Sequence, residues 1–387
     1  MESSRGGSHN SLVVLGLATE PFSTVVERAA KKHGYAVHYE RDVASAVAWR
    51  ASQAEGPTAI ATDLESPGAA RELLNAPDAQ RFAGVPILGL TRRVDDLAFE
   101  EAFSTSIDDV CRLDEGLLAR RLRLLADRAR DEVTLREDTI VVADADRATR
   151  MAIGRVFREA GFTIQFAMDA SDTLAHARAP KTVAVIASAA IEREGVGGAP
   201  LSRASYAEGG RAAWVINTSP REIPEIRRLS APEAEQRFAV HDAFAAPTTL
   251  LFVVNDLLNR PARDVRQSER LLYASSLRFR LAGRADDDCG ATYNLSEGGL
   301  YVRTLAPPER WEELWIELVP PRTDRRVHLE ATVVWSRRFG PSTNASVPPG
   351  FGVQLTGGSK GDLERYQRGY QTFLDERTHG APVPPSA

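Results

Sequence analysis

The residues best suited to holding a ligand sit in the last third of the chain. Arg266 and Arg270 form an RxxxR spacing ahead of a strand-like run, and Asn294, Ser296 and Gly299 follow as NxSxxG. An arginine can fork two N–H donors onto a phosphate, or onto the O6 and N7 edge of a guanine, and its flat face can stack on a purine. Lysine would bring the charge without the fork. An asparagine both accepts from and donates to a base edge, a serine adds a short hydroxyl, and a glycine lets the backbone approach where any Cβ would block it. A plainer reading stays open: the arginines are solvated or paired with Asp264 and Glu269, and NxSxxG is only a turn.

The two motifs come in order, inside a strand-rich segment that continues to Val333-Val334-Trp335 and to Gly350-Phe351-Gly352-Val353-Gln354-Leu355. Over Arg266 to Leu355 the chain resembles the PilZ family, whose paired signature is RxxxR followed by [D/N]xSxxG. The resemblance implies a small antiparallel β-barrel that binds cyclic di-GMP through Arg266, Arg270, Asn294, Ser296 and Gly299. Two arginines suit its two phosphodiesters and two guanines. Asn294 stands where the family also allows aspartate, and lacks the carboxylate that would accept from guanine N1–H and N2–H, which implies weaker binding.

Other elements must carry this module. The segment after Arg260 alternates short strand-like runs (Ser276–Leu281, Leu300–Arg303, Trp315–Val319, Val327–Trp335, Phe351–Leu355) with Gly, Pro and Asn turns, as in a small barrel or sandwich. A helix follows over Lys360–Glu376 with Leu363, Tyr366 and Tyr370 on one face. Before Arg260 the chain holds a weak internal repeat. Leu12-Val13-Val14-Leu15 and Thr139-Ile140-Val141-Val142 each open a strand. A helix then places Phe22, Val25, Val26 and Ala29, or Ile153, Val156, Phe157 and Ala160, at i, i+3, i+4, i+7 and stops at Gly34 or Gly161. Strands then alternate with helices to a Leu/Arg-rich last helix (Leu117–Arg130; Thr248–Arg260), so each copy predicts a doubly wound parallel sheet. Ile191–Gly210, rich in Gly, Ala and Ser, predicts a long loop.

Both copies resemble response-regulator receiver domains, with a flavodoxin-like fold. A working receiver needs an acidic pair for Mg²⁺, an aspartate acceptor after the third strand and a lysine after the fifth. In the second copy the acceptor position falls on Ala187 and the lysine position on Ala246, while Asp144 survives of the acidic pair. In the first copy Asp63 aligns with the acceptor and Thr91 with the switch hydroxyl. That copy has no acidic pair near Gly16–Glu20 and no lysine near Arg112–Asp114, so Asp63 is a poor candidate phosphoacceptor. The leucines of the last helices (Leu117, Leu122, Leu124, Leu125; Leu250, Leu251, Val254) are expected in the cores.

The expected layout is a disordered start at 1–10, pseudo-receiver domains at 11–134 and 137–261, a PilZ domain at 262–377 and a disordered tail at 378–387. A net charge of −5 argues against a general nucleic-acid binder. Two cysteines, with no CxxC, argue against structural zinc and fit a reducing cytoplasm. No signal-like or membrane-length apolar run occurs. The expectation is a cytoplasmic, non-catalytic cyclic di-GMP effector with no metal, acting on protein partners, with a homodimer left open. The alternatives are a nucleotide-independent interaction scaffold and a phosphorelay output protein using Asp63.

Overall fold

In the computed structural model of the protein, the described residues are 10–16, 20–53, 57–64, 72, 82, 84–93, 95–104, 107–128, 137–229, 237–259, 268–340 and 347–379. The first α/β unit is a five-stranded parallel sheet of β1 (Ser11–Leu15), β2 (Ala36–Glu40), β3 (Ala59–Asp63), β4 (Ile87–Thr91) and β5 (Asp109–Arg112), in the order β2-β1-β3-β4-β5. This is the flavodoxin-like doubly wound order. Alternate residues of β1 split between two cores. Leu12 and Val14 pack with α1 (Phe22–Lys31) and α4 (Glu115–Arg128), and Val13 and Leu15 with α2 (Val43–Ser52) and α3 (Asp96–Ser104).

The second unit repeats the plan with β6 (Thr139–Ala143), β7 (Thr163–Ala167), β8 (Thr182–Ser188), β9 (Ala213–Thr218) and β10 (Phe238–Asp242), in the order β10-β9-β8-β6-β7. Helices α5 (Arg147–Glu159) and α10 (Thr248–Asn259) cover one face. Helices α6 (Ala170–Ala177), α7 (Ala189–Glu194), α8 (Leu201–Ala207) and α9 (Ile223–Leu229) cover the other. The periodic leucines of α4 and α10 are buried core residues, as their spacing predicts.

The expected loop at Ile191–Gly210 is a correction. It folds into the end of α7 and the whole of α8. The Glu192 carboxylate, 1% exposed, accepts from both the N–H and the hydroxyl of Ser202, tying the two short helices together. This pairing is tertiary, and no local periodicity announces it.

The chain then changes architecture. Strands β12 (Ser276–Leu281), β13 (Asp288–Ser296), β14 (Gly299–Arg303), β15 (Glu313–Leu318), β16 (Val327–Arg337) and β17 (Gly350–Gly358) run in the order β13-β12-β15-β16-β17-β14, and β14 pairs back to β13 to close the barrel. A short β11 (Leu271–Leu272) adds to the far end of β13, and α11 (Lys360–His379) packs Tyr366, Tyr370 and Phe373 into the barrel core. Among the described residues no helix is long and apolar enough to cross a membrane.

The barrel is docked on both α/β units. Arg121 of α4, fully buried, reaches Asp109 at 2.8 Å, Asp288 of β13 at 3.0 Å and the Cys289 carbonyl at 3.3 Å. Asp109 Oδ2 also accepts from the Leu305 N–H and the Thr304 hydroxyl. Burial alone would lower the Arg121 guanidinium, but Asp109 and Asp288 hold it well above its ordinary value. On the second unit, Tyr293 donates to the Thr248 carbonyl at 2.7 Å, and Arg337 donates to the Glu159 carbonyl at 2.7 Å. The two α/β units also meet directly where Arg155 pairs with Asp108.

Candidate ligand site on the barrel

Four of the five candidate residues come together. Arg270, Asn294, Ser296 and Gly299 line one cavity of about 300 Å³, with Leu300, Tyr301, Val334, Trp335, Val347, Gly352 and Val353. Arg266, the first arginine of RxxxR, lies outside the described residues, as do the outer parts of both termini, 1–9 and 380–387.

Local structure explains each placement. Strand β11 pairs Leu271 with Leu295 and Leu272 with Asn294, which brings the preceding Arg270 to the Ser296 end of β13. The Tyr370 hydroxyl donates to the Glu269 carbonyl at 2.9 Å and steadies that segment from α11. Arg270 is exposed and Asn294 is buried at the cavity wall. Ser296 and Gly299 face each other at the tip of the β13–β14 hairpin, and Ser296 Oγ donates to the Gly299 carbonyl at 3.2 Å. The Tyr366 hydroxyl lies within hydrogen-bond distance of both the Ser296 and Gly299 carbonyls. A Cβ at Gly299 would collide with the Val353 carbonyl oxygen where β14 meets β17. For Ser296 and Gly299 the plain turn reading therefore holds locally: their types are set by the hairpin and barrel closure, which in turn form the cavity floor.

The reading of spacing alone misses Trp335 and Tyr301. Along β16, Val327, Leu329, Ala331 and Val333 face the barrel core. A bulge between Val333 and Trp335 makes Val334 the extra residue against β17 and flips the alternation. Trp335, on the core face by parity, is therefore turned out to 42% exposure. Its ring lies 5.7 Å from that of Tyr301, whose hydroxyl donates to the Pro348 carbonyl at 2.7 Å. Burial raises the Tyr301 phenol, so it remains a donor at neutral pH. The signal was present as Val333-Val334-Trp335, where strict alternation breaks. A half-exposed indole beside an arginine offers stacking and cation–π contact to a planar base.

The geometry is that of a pocket with one forked cation, one buried amide and one exposed aromatic face. Residues 264–370 match the family model described as PilZ domain. This segment is a PilZ domain. No curated protein matches the chain. Among solved structures, the chain is similar to the inhibitor of motility MotI/DgrA of Bacillus subtilis, at 18% identity and TM-score 0.25, covering 30% of this chain and 54% of that one. The chain thus spans about half the length of that protein. It is also similar to a PilZ domain with c-di-GMP of YcgR from Escherichia coli, at 15% identity and TM-score 0.23, covering 30% of this chain and 100% of that one. The chain is also similar to a probable two-component system response regulator/GGDEF domain protein, at 16% identity and TM-score 0.29, covering 65% of this chain and 98% of that one.

The receiver-type positions of the α/β units are not grouped with the PilZ cavity. Asp63 ends β3, Thr91 ends β4 and Arg112 ends β5. In the second unit Ala187 is buried in β8, and Asp146 caps α5 by accepting from the Thr149 N–H at 2.9 Å. Burial raises the neighbouring Asp144 carboxyl. Among the described residues no group of three or more His, Cys, Asp or Glu could hold a metal ion.

Proposed function

We propose that the PilZ cavity binds cyclic di-GMP and that the protein is a non-catalytic, cytoplasmic effector that passes this binding to protein partners through its two receiver-like units. The observation that carries the reading is the convergence of Arg270, Asn294, Ser296 and Gly299 with the Trp335 face on one cavity. In this reading Arg270, joined by Arg266, forks a phosphate or guanine edge, Asn294 meets a base edge, and Trp335 stacks a base.

Transmission is supported by the strands that line the cavity. Strand β14 carries Gly299, Leu300 and Tyr301, and two residues on it carries Arg303. Arg303 donates to Thr248 Oγ1 of the second unit at 3.0 Å and to the Ile107 carbonyl of the first at 3.1 Å, and lies over the Phe103 ring. Strand β16 passes from Trp335 to Arg337, which holds Glu159 of the second unit. In β13, Asn294 adjoins Tyr293, whose ring packs edge-on against Tyr301 and against Phe252 of α10. A shift of the cavity wall therefore moves anchors on both units.

Titration calorimetry of the whole chain tests this. Cyclic di-GMP is expected to bind at micromolar concentration, and Arg266→Ala and Arg270→Ala each to weaken it by about tenfold or more. Trp335→Ala removes a stacking face, expected at about 1–3 kcal/mol. Asn294→Asp restores a carboxylate acceptor and is expected to tighten binding. Absence of heat, or affinity indifferent to both arginines, sinks the proposal and leaves the nucleotide-independent scaffold, which pull-downs with and without nucleotide would then identify.

A further inference from the structure

A second cavity, also of about 300 Å³, lies between the first α/β unit and the barrel, and arginines dominate its wall: Arg92, Arg93, Arg112 and Arg278, with Leu117, Asp287, Asp288 and Cys289. Arg92 and Arg93 directly follow β4 and Arg112 ends β5. Three of the four thus stand at the carboxyl edge of a parallel sheet, the edge at which open α/β sheets take ligands. The fourth projects from β12 of the barrel. The loop after β4 is fixed by Thr91, whose hydroxyl donates to the Arg93 carbonyl at 2.7 Å and accepts from the Arg93 N–H at 3.1 Å.

The acidic groups around this cleft each have a cationic neighbour outside its wall. Asp288 is buried and holds Arg121 at 3.0 Å and Arg120 at 3.5 Å. Asp287 lies 3.9 Å from Arg280. Glu317, opposite Arg278 across the β12–β15 pair, is taken by Arg326 at 2.7 Å. Among the described residues, none of the four arginines has a carboxylate within ion-pair distance. All four are exposed; Arg92 lies 5.5 Å from the centroid of the buried Phe22 ring, a contact that does not neutralise its charge. Four like charges around one cavity repel each other, and a bound polyanion converts that repulsion into attraction. Asp63 does not line the cleft, so this is not the phosphoacceptor position of the unit.

We propose that this cleft binds a small phosphate-bearing anion that bridges the first α/β unit and the barrel. The guanidinium fork matches phosphate oxygens in pairs, and four forks suit a compound with at least two phosphate groups. The cavity is at the small end of ligand pockets and is too narrow for a folded partner. The phosphate can belong to a free diphosphate compound or to a cyclic dinucleotide, and the experiment separates these.

The whole chain is titrated calorimetrically with inorganic pyrophosphate at low ionic strength. One equivalent is expected to bind. The double variant Arg92→Gln/Arg112→Gln is expected to lower the affinity by about tenfold or more, and Arg278→Gln by a smaller factor. Arg325→Gln, on the β15–β16 connection, leaves it unchanged. The substituted side chains are exposed, and an unchanged melting temperature without ligand confirms that the variants fold. In a parallel titration with cyclic di-GMP, loss of a second equivalent in the double variant names the dinucleotide as the source of the phosphate. An unaltered cyclic di-GMP isotherm assigns the cleft to a free diphosphate compound. No pyrophosphate binding, binding indifferent to the arginines, or binding of an acidic peptide in place of pyrophosphate overturns the proposal. The PilZ cavity shares no residue with this cleft, so either site can fail while the other stands.

Discussion

The barrel meets its two neighbours in chemically different ways. Against the first α/β unit the junction is ionic and buried: Arg121 is fully buried between Asp109 and Asp288, and Asp109 Oδ2 also accepts from Thr304 and Leu305. Against the second, most contacts are hydrogen bonds onto backbone carbonyls and an aromatic edge: Tyr293 to Thr248, Arg337 to Glu159, and Tyr293 against Phe252. A buried ion network resists rearrangement, because moving one member strands the others in low dielectric. A carbonyl can exchange one donor for another at small cost. The difference teaches which joint is rigid. The barrel's joint to the first unit is the more rigid of its two, and its joint to the second is the softer contact that adjoins the PilZ cavity, since Tyr293 is next to Asn294 and touches Tyr301; the second unit keeps its own buried ion pair to the first through Arg155 and Asp108.

The largest expected effect breaks the rigid joint. Arg121→Met leaves the buried Asp109 without its counter-ion and Asp288 with Arg120 alone, and is expected to cost about 3–5 kcal/mol in denaturant unfolding. A loss no greater than that of a surface arginine would remove the contrast.

Next comes acid. Burial lowers the His241 imidazole to about 4. Its ring nitrogens face Asn217 Oδ1 and Thr249 Oγ1, next to the Thr248 that anchors the barrel. The unfolded chain takes up this proton near pH 6.5 and the folded chain does not, so stability is full above pH 6.5 and falls as the pH drops toward 4. The loss reaches about 3 kcal/mol at most. Hydrogen exchange should show β9 and β10 opening first in mild acid while β4 and β5 stay protected, and His241→Asn should flatten the pH slope. Loosening of both units together would argue against separate joints.

The smallest effect is the most specific. Tyr293→Phe removes one hydrogen bond to the Thr248 carbonyl and is expected to cost about 1 kcal/mol. It leaves the cavity wall intact, so cyclic di-GMP affinity should change little while ligand-induced protection of α10 amides is lost. If α10 responds as before, the signal takes another route, with Arg303 the next candidate.

Much of this was legible in the sequence. The repeated apolar runs and i, i+3, i+4, i+7 helices gave two doubly wound sheets, because burial on both faces forces those periods. The spacing at Arg270, Asn294, Ser296 and Gly299 led to one cavity, because a hairpin and one short strand pairing hold all four. The Ile191–Gly210 segment was misread, since its two short helices depend on the Glu192–Ser202 contact. Trp335 was passed over because a single bulge, invisible to a rule of strict alternation, decides which way its ring faces.

By itself, then, the sequence determined the periodic elements, the order of the units and the motif that marks the PilZ cavity. Tertiary structure alone decided that Arg121 belongs between Asp109 and Asp288, and that Arg92, Arg93, Arg112 and Arg278 share one cleft. The physical reason is range. Backbone and burial periods repeat within one element and can be read along it, whereas a charge finds its partners only after separate sheets have docked, and no local pattern records which ones those are.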